Sequence, residues 1–555
     1  MITFLQRAFN AACNPKAAFT NIRFRWRQWN DFRLFRSGLE PYRRLGPAVG
    51  SDRPGLLIVA GMGLNVVWAQ LWTLLSVPAM ARGYRPYVLL SPLSLHLKRY
   101  FDLLGIEAIN LEEHNHTGLP PLAPELRRAF DAAASFDGFR ALRWDRMPIG
   151  DIVLSTYCRH TGKVMIDVND PVVRGELAQW LEYIWRHYHA AARIFERFGI
   201  KAAYFTETFM EEHGAIYYAA LEAELNVLRF AGTVRDDAII VQHRAWGDAE
   251  RLHHAALAPS SWETVQRLPN LPLVRAQLDQ NFADRYSDKW HRSKRNQPGT
   301  QLLEADAVRA QLGLPPDRKV AVIYSHILYD TIFFFGTDLF EDYATWLIET
   351  IKVAAANDRL EWYIKVHPSN IWRGELNELT AGRYQEETLI EQHIGKLPPH
   401  VHIVSADTKI SPLSWMQLAD FGLTVRGTAG LEMAAMGKTV ITAGTGRYEG
   451  CGFTNDPPTK EAYLDLLARL PDIAEITPQQ TELAQRYAHA IFNLKPFTLS
   501  SVKARLATGK TRVVASDDIV YVPRQPEGGA LPHDLARFAA FLDRRDCIDL
   551  LNELK

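Results

Sequence analysis

The sequence predicts an α/β protein of two successive domains, each with a parallel sheet between helices. Three observations predict it. From Leu56 onward, short apolar runs alternate with amphipathic stretches, the pattern of a parallel sheet covered on both faces. At 555 residues the chain exceeds the size at which a single core keeps growing. The alternation breaks once, from Asn281 to Thr300, in a polar, charge-dense stretch ending Gln297-Pro298-Gly299, which reads as a link. Two such Rossmann-like domains leave an interdomain cleft, and ligands bind there at the carboxyl ends of strands.

The expected division is a basic aromatic arm over residues 1–50, an N-terminal domain and linker over 51–300, a C-terminal domain over 301–490 and a helical tail over 491–555. In the arm, nine basic residues through Arg44 face only Asp31 and Glu40, with Phe24, Trp26, Trp29, Phe32 and Phe35 among them. Such a mixture suits an anionic membrane surface, and equally an arm that packs its aromatics on the body. Lys+Arg and Asp+Glu are equal at 63 each, so no global field recruits nucleic acid.

No charged residue occurs from Leu56 to Ala81, a length sufficient to cross a bilayer. Gly61-Met62-Gly63, Asn65, Gln70 and Pro78 favour a different reading: strand Leu56–Ala60, a tight turn, then a helix from about Leu64. Arg7 and Asn10 cut short the early apolar patch, so no secretory signal is read. Cys13, Cys158, Cys451 and Cys547 form no CxxC pair, which fits a reducing compartment. The expected location is cytoplasmic, with the arm as the means of peripheral attachment at the inner membrane.

In the first domain the expected elements are strand Arg85–Leu90, helix Pro92–Leu104, a short strand Ile152–Leu154, helix Gln179–Phe198, strand Ala202–Thr206 and helix Glu211–Leu225. In the second they are strand Lys319–Tyr324, helix Leu339–Ala356, strands Leu360–Val366, Val401–Val404 and Phe421–Val425, helix Thr428–Met436 and strand Thr439–Ala443.

Three loops of the second domain carry the chemistry. In Val425-Arg426-Gly427-Thr428-Ala429-Gly430-Leu431-Glu432 an apolar strand runs through glycines and a hydroxyl into a helix. N–H groups at a helix start attract phosphate, and glycines let it approach. Arg426 could add a charged contact and Glu432 could accept from ribose hydroxyls, although Thr428 and Glu432 also suit ordinary capping. In Glu361-Trp362-Tyr363-Ile364-Lys365-Val366-His367-Pro368, Lys365 and His367 share a face by the two-residue period and present two cationic groups at a strand end. From Gly444 to Gly452, four glycines in nine residues, with Tyr448 among them, imply close backbone approach.

Lys365-x-His367-Pro368, Arg426-Gly427-Thr428-x-Gly430-x-Glu432 with Gly437-Lys438, and Gly444 with Tyr448-x-Gly450-x-Gly452-Phe453 resemble the bacterial capsule polysaccharide biosynthesis proteins related to Kdo transferases. The resemblance covers about Val320 to Phe453, and more weakly Tyr204 to Gly232. It implies a GT-B glycosyltransferase whose donor phosphate, commonly of CMP, is held by His367, Thr428 and Gly430, with Glu432 beside them. The implied partners are a nucleotide-sugar donor, of the CMP-Kdo kind or a related acidic sugar, and a surface polysaccharide or lipid-linked acceptor. The rival readings are a nucleotide-sugar epimerase of the same fold and a non-catalytic capsule assembly or export partner.

An inverting transferase needs a carboxylate or His base on the acceptor hydroxyl, while a retaining one needs a nucleophile or only assistance from the donor phosphate. After the strand ending at Tyr324 come His326 and Asp330; across the cleft, after Thr206, come Glu207, Glu211, Glu212 and His213. The candidates are Asp330, Glu211 and His326. With no DxD in place, no metal and no cofactor beyond the donor is expected.

Overall fold

The computed structural model describes residues 28–45, 52–59, 65–91, 94–115, 118–247, 249–269, 271–287, 289–292, 299–330, 333–370, 384–511, 513 and 518–553. Five parallel strands begin the first sheet: β1 (Gly55–Val59), β2 (Arg85–Leu90), β3 (Glu107–Asn110), β4 (Ile200–Phe205) and β5 (Asn226–Gly232), to which β6 (Ala238–Arg244) adds antiparallel. The second sheet holds β7 (Val320–Tyr324), β8 (Glu361–Lys365), β9 (Val401–Val404), β10 (Phe421–Thr424) and β11 (Thr439–Thr442), all parallel in the order β11-β10-β7-β8-β9. These are two Rossmann-like domains in series, the GT-B architecture. The β1 strand is buried at every residue, as a sheet covered on both faces requires.

The uncharged stretch after β1 becomes the helix Val66–Ala81, capped by Asn65 Oδ1 accepting from the Trp68 N–H. The Gly61-Met62-Gly63 turn lies outside the described residues. No helix among the described residues is long and apolar enough to cross a membrane.

Three expectations are corrected. Ile152–Leu154 is no strand but lies inside the helix Ile149–Thr161, closed by Gly162 in the left-handed region at φ 68°; a short apolar run cannot be told from a fully buried helix segment by period alone. The stretch read as link begins inside the helix Leu271–Arg285, where Asn281 is buried and donates to the Phe492 carbonyl. The tail is not helical throughout: β12 (Phe497–Thr498) pairs antiparallel with β6 at the edge of the first sheet, and β13 (Val502–Leu506) and β14 (Ile519–Pro523) form a hairpin before the helix His533–Leu542. This return crossing is pinned by a buried ion pair, Lys495 Nζ to Asp549 Oδ1 at 2.7 Å. Asp549 also accepts from the Ala258 N–H and the Gln242 amide, satisfying charges that burial would otherwise make costly.

Residues 28–44 of the arm are helical, ending in a 3-10 turn over Glu40–Arg44, and sink Phe35, Leu39 and Tyr42 into the core, and Asp31 pairs with Arg505. Arg33, Arg36, Arg43 and Arg44 stay exposed. The other five basic residues of the arm lie outside the described residues.

Candidate functional site

The carboxyl ends of β7, β8 and β10 open onto one cleft of about 440 Å³. Each strand delivers one part of its wall. Tyr324 and then Ser325-His326 follow from β7, Lys365 and then His367-Pro368 from β8, and Arg426-Gly427-Thr428 from β10.

Lys365 is 4% exposed, yet its ammonium has no hydrogen bond or ion pair among the described residues. Desolvation alone acts on it and lowers its pKa from 10.5 to about 8. A buried cation without a counter-charge is costly and marks a place for an anion. In the same wall, the helix Thr428–Ala435 begins with no side-chain cap at Gly427. Its first N–H groups and the positive end of its dipole therefore remain available.

His367 is placed by its backbone N–H, which donates to Ser325 Oγ at 3.1 Å, while Ser325 Oγ donates to Glu386 Oε1 at 2.7 Å. The ring accepts the Ser369 N–H at Nδ1, so the proton of the neutral ring sits on Nε2. His326 is also part of the wall, but its Nε2 accepts the Val425 N–H at 3.1 Å, with Thr424 Oγ1 at the same distance. Burial, then Arg426 and His367, push its pKa well below 6.5. It is a neutral ring stacked against Tyr343, with the lone pair of Nε2 already in use.

Arg426 lines the cleft, but its guanidinium is held by Asp338 and the Phe335 carbonyl; it fixes the segment that carries Phe335. Glu432 is 1% exposed, accepts from the Tyr286 hydroxyl at 2.9 Å and lies 3.1 Å from Arg285 Nη1, an ion pair whose angle falls short of a hydrogen bond. Its carboxylate thus anchors the helix Leu271–Arg285 to the cleft floor. Three of the motif glycines are packing positions. A Cβ on Gly427 would lie 2.7 Å from Thr424 Oγ1, on Gly430 2.3 Å from the Tyr448 hydroxyl, and on Gly444 2.6 Å from Val425. Tyr448 is buried and donates to the Gly427 carbonyl at 2.7 Å, supporting the loop from behind.

Of the three base candidates, Asp330 and His326 are in the cleft wall and Glu211 is not. Asp330 is bridged to Arg159. Glu211, at φ +50°, bonds His160 Nε2 through Oε1 at 2.6 Å. With Glu212 and His213 it forms a group whose ligand atoms lie within 4.8 Å of one another, a geometry able to hold a cation, away from the cleft.

Sequence reasoning missed Arg447, Arg285 and Tyr286, all of which line the cleft. Arg447 donates to the Arg426 carbonyl at 3.0 Å and to Thr428 Oγ1 at 2.7 Å, and it stands inside the glycine-rich loop that was singled out. Arg285 and Tyr286 fall where the linker was expected, and only the helical period of 271–285 could have found them.

No protein-family model matches the chain, and no curated protein is similar to it. Among solved structures it is similar to the β-Kdo 2,4 transferase KpsC of Thermosulfurimonas dismutans, at 16% identity over 53% of this chain and 80% of that one, with a TM-score of 0.30. It is similar to a glycosyltransferase of Rickettsia africae at 10% identity, over 81% of this chain and 95% of that one, TM-score 0.27. A UDP-GlcNAc 2-epimerase of Neisseria meningitidis, bound to UDP-GlcNAc, matches at 10% identity over 78% of this chain and 97% of that one, TM-score 0.23. At such identities and scores no activity transfers from these proteins to this chain.

Proposed function

We propose that the chain is a glycosyltransferase that binds a nucleotide-activated sugar in the β7–β8–β10 cleft and transfers the sugar to a glycan or lipid-linked glycan. The observation that carries this reading is Lys365, buried and without a described partner, in the same wall as the uncapped helix start at Thr428. Together they suit one phosphate. The acceptor hydroxyl attacks the anomeric carbon, the bond from that carbon to the phosphate oxygen breaks, and the nucleotide leaves with the electron pair. Lys365 and the helix N–H groups offset the charge that develops on the leaving phosphate. Asp330, the one base candidate in the wall whose acceptor atoms are a carboxylate, takes the hydroxyl proton. The donor we favour is a CMP-activated acidic sugar of the Kdo kind, on the motif resemblance, and the arm's exposed arginines suit attachment to an anionic membrane surface.

Titration with CMP, UDP and dTDP tests the cleft, with tight binding of one nucleotide as the expected result. Mass analysis with the matching sugar donor and a saccharide acceptor then decides among activities. Transfer to the acceptor supports the reading. Epimerised donor without transfer would replace it by the epimerase, and nucleotide binding without turnover by a non-catalytic role.

A further inference from the structure

Behind the Arg447 side of the cleft lies a second chamber of about 450 Å³. Val234, Arg285, Thr428 and Arg447 line both spaces, so the two are contiguous. The second chamber is walled by the N-terminal domain and the returning tail, through Trp68, His254, Phe492 and Ile519.

Its charge is one-sided. Three arginines line it, Arg285, Arg292 and Arg447, and among the described lining residues there is no Asp or Glu. Arg285 is offset by Glu432. The other two have no ion pair among the described residues. Arg292 donates from Nη2 only to the Tyr521 hydroxyl, at 3.0 Å. Arg447 spends its Nη groups on an oxygen of the cleft wall and a carbonyl, while its Nε is buried without a hydrogen-bond partner among the described residues. His254 Nδ1 is likewise buried and has no hydrogen-bond partner among the described residues, and its ring is kept neutral by burial and by Arg229, Arg447, Arg244 and Lys495. Arg229 and Arg244, 3% and 4% exposed, add to the same field, and neither has an ion pair among the described residues. Burial and Arg244 lower the Arg229 pKa to about 9. Glu432, Glu207 and Asp549 offset Arg285, Arg229 and Arg244 in part, which leaves Arg292 and Arg447 as the chamber's cations without an ion pair among the described residues, a place that an anion completes.

The apolar share of the wall includes Trp68 and Phe492, aromatic surface of the kind that lines sugar sites. Resting on the donor-cleft reading above, we propose that this chamber is the acceptor subsite and that it takes a saccharide carrying an anionic group, a carboxylate or a phosphate ester, held by Arg292 and Arg447. The acceptor then reaches the donor cleft along the residues that line both spaces, Val234, Arg285, Thr428 and Arg447.

The test is binding, read by ligand-observed NMR and calorimetry on the full chain, with and without saturating nucleotide. The probes are a methyl glycoside of a uronic acid, a methyl hexoside 6-phosphate and the neutral methyl hexoside. The anionic probes should bind at least tenfold more tightly than the neutral one, and preference between the two names the group. Arg292→Gln, which touches only the second chamber, should weaken the anionic probes by about 10- to 150-fold, the worth of one charged hydrogen bond, and leave nucleotide affinity unchanged. Arg292→Lys should recover part of the loss. Equal binding of the neutral probe by the wild type would overturn the proposal whether or not the variants fold, as would full anionic affinity in Arg292→Gln. Anionic probes that bind while every nucleotide fails would sink the donor reading and leave the chamber's anion preference standing.

Discussion

Asp330 of the C-terminal domain and Arg159 of the N-terminal domain form an ion pair across the cleft, 2.7 Å from Nη1 to Oδ1. Arg159 stands near the end of the helix Ile149–Thr161, and the same helix end accepts a second cross-domain bond, from Gln385 Nε2 to the Gly162 carbonyl at 2.9 Å. The stretch that the sequence misassigned to a strand is therefore the element that aims the proposed base.

From this relationship, Asp330→Asn should lower kcat by about 10²- to 10⁴-fold, the usual worth of a positioned base, with nucleotide affinity within twofold of wild type. Arg159→Leu leaves the carboxylate but removes this ion pair, so its loss should be smaller. Steady-state kinetics with calorimetry separates the two. Wild-type kcat in Asp330→Asn would remove it as the base.

Lys365 gives a prediction with opposite signs for binding and stability. Its pKa is about 8 in the folded chain against an ordinary 10.5. Below pH 8 the ammonium is charged in both states, so its burial costs stability in full. Between pH 8 and 10.5 the unfolded chain holds the proton and the folded chain does not, so stability rises with pH. Lys365→Met should therefore be more stable than wild type at pH 7, by an order of 3 kcal/mol at about 1.4 kcal/mol per unit, and the gap should close as pH climbs through that window. Nucleotide should bind about 10- to 150-fold more weakly. Denaturant melts at pH 7 and 10 check the first part; a Met variant less stable at pH 7 would contradict it.

The strands of the second domain were legible to within a residue or two because each is a short apolar run set between polar, Gly or Pro residues. Val401–Val404 coincides with its strand, and Lys365 and His367 reached the cleft as the strand-end pattern required. What the sequence could not supply was whatever depends on distant partners. Arg426 and Glu432 have the residue types of ligand contacts, but Asp338, 88 residues before Arg426, and Arg285 and Tyr286, well over a hundred residues before Glu432, occupy them. No local pattern announces those neighbours. Nor does the tail's pairing with β6 follow from two extended residues, Phe497 and Thr498, which would be a strand nowhere else.

Gly430 tests the packing role assigned to the motif. A methyl there meets the Tyr448 hydroxyl at 2.3 Å and Thr424 Cγ2 at 3.0 Å, so Gly430→Ala should destabilise by about 1–3 kcal/mol as an overpacked core. Adding Tyr448→Phe removes the clashing oxygen together with its bond to the Gly427 carbonyl. The double variant should then be less unstable than the sum of the two single changes, since neighbours in contact do not add. Strict additivity in denaturant melts would show that the methyl is accommodated elsewhere.

The last prediction concerns metal. A leaving phosphate needs its charge offset, by a cation or by protein groups. The cleft wall holds Lys365, Arg447 and the uncapped helix start at Thr428, against two carboxylates, Asp330 and Glu432, each already paired with an arginine. A hard divalent ion prefers several oxygen ligands, and no such set lines this cleft among the described residues. The group that has the spacing, Glu211, Glu212 and His213, is off the wall, and its carboxylates bond His160 and the Tyr183 hydroxyl. Transfer should therefore proceed undiminished after dialysis against EDTA, and added Mg²⁺ or Mn²⁺ should change kcat by less than twofold. The same assay run on Lys365→Met supplies the control: if protein cations do the neutralising, that variant loses activity and divalent ions do not restore it. Activity lost to EDTA and recovered with Mn²⁺ in the wild type would instead place a metal on the leaving group, and the Glu211 group would have to be re-examined as its holder.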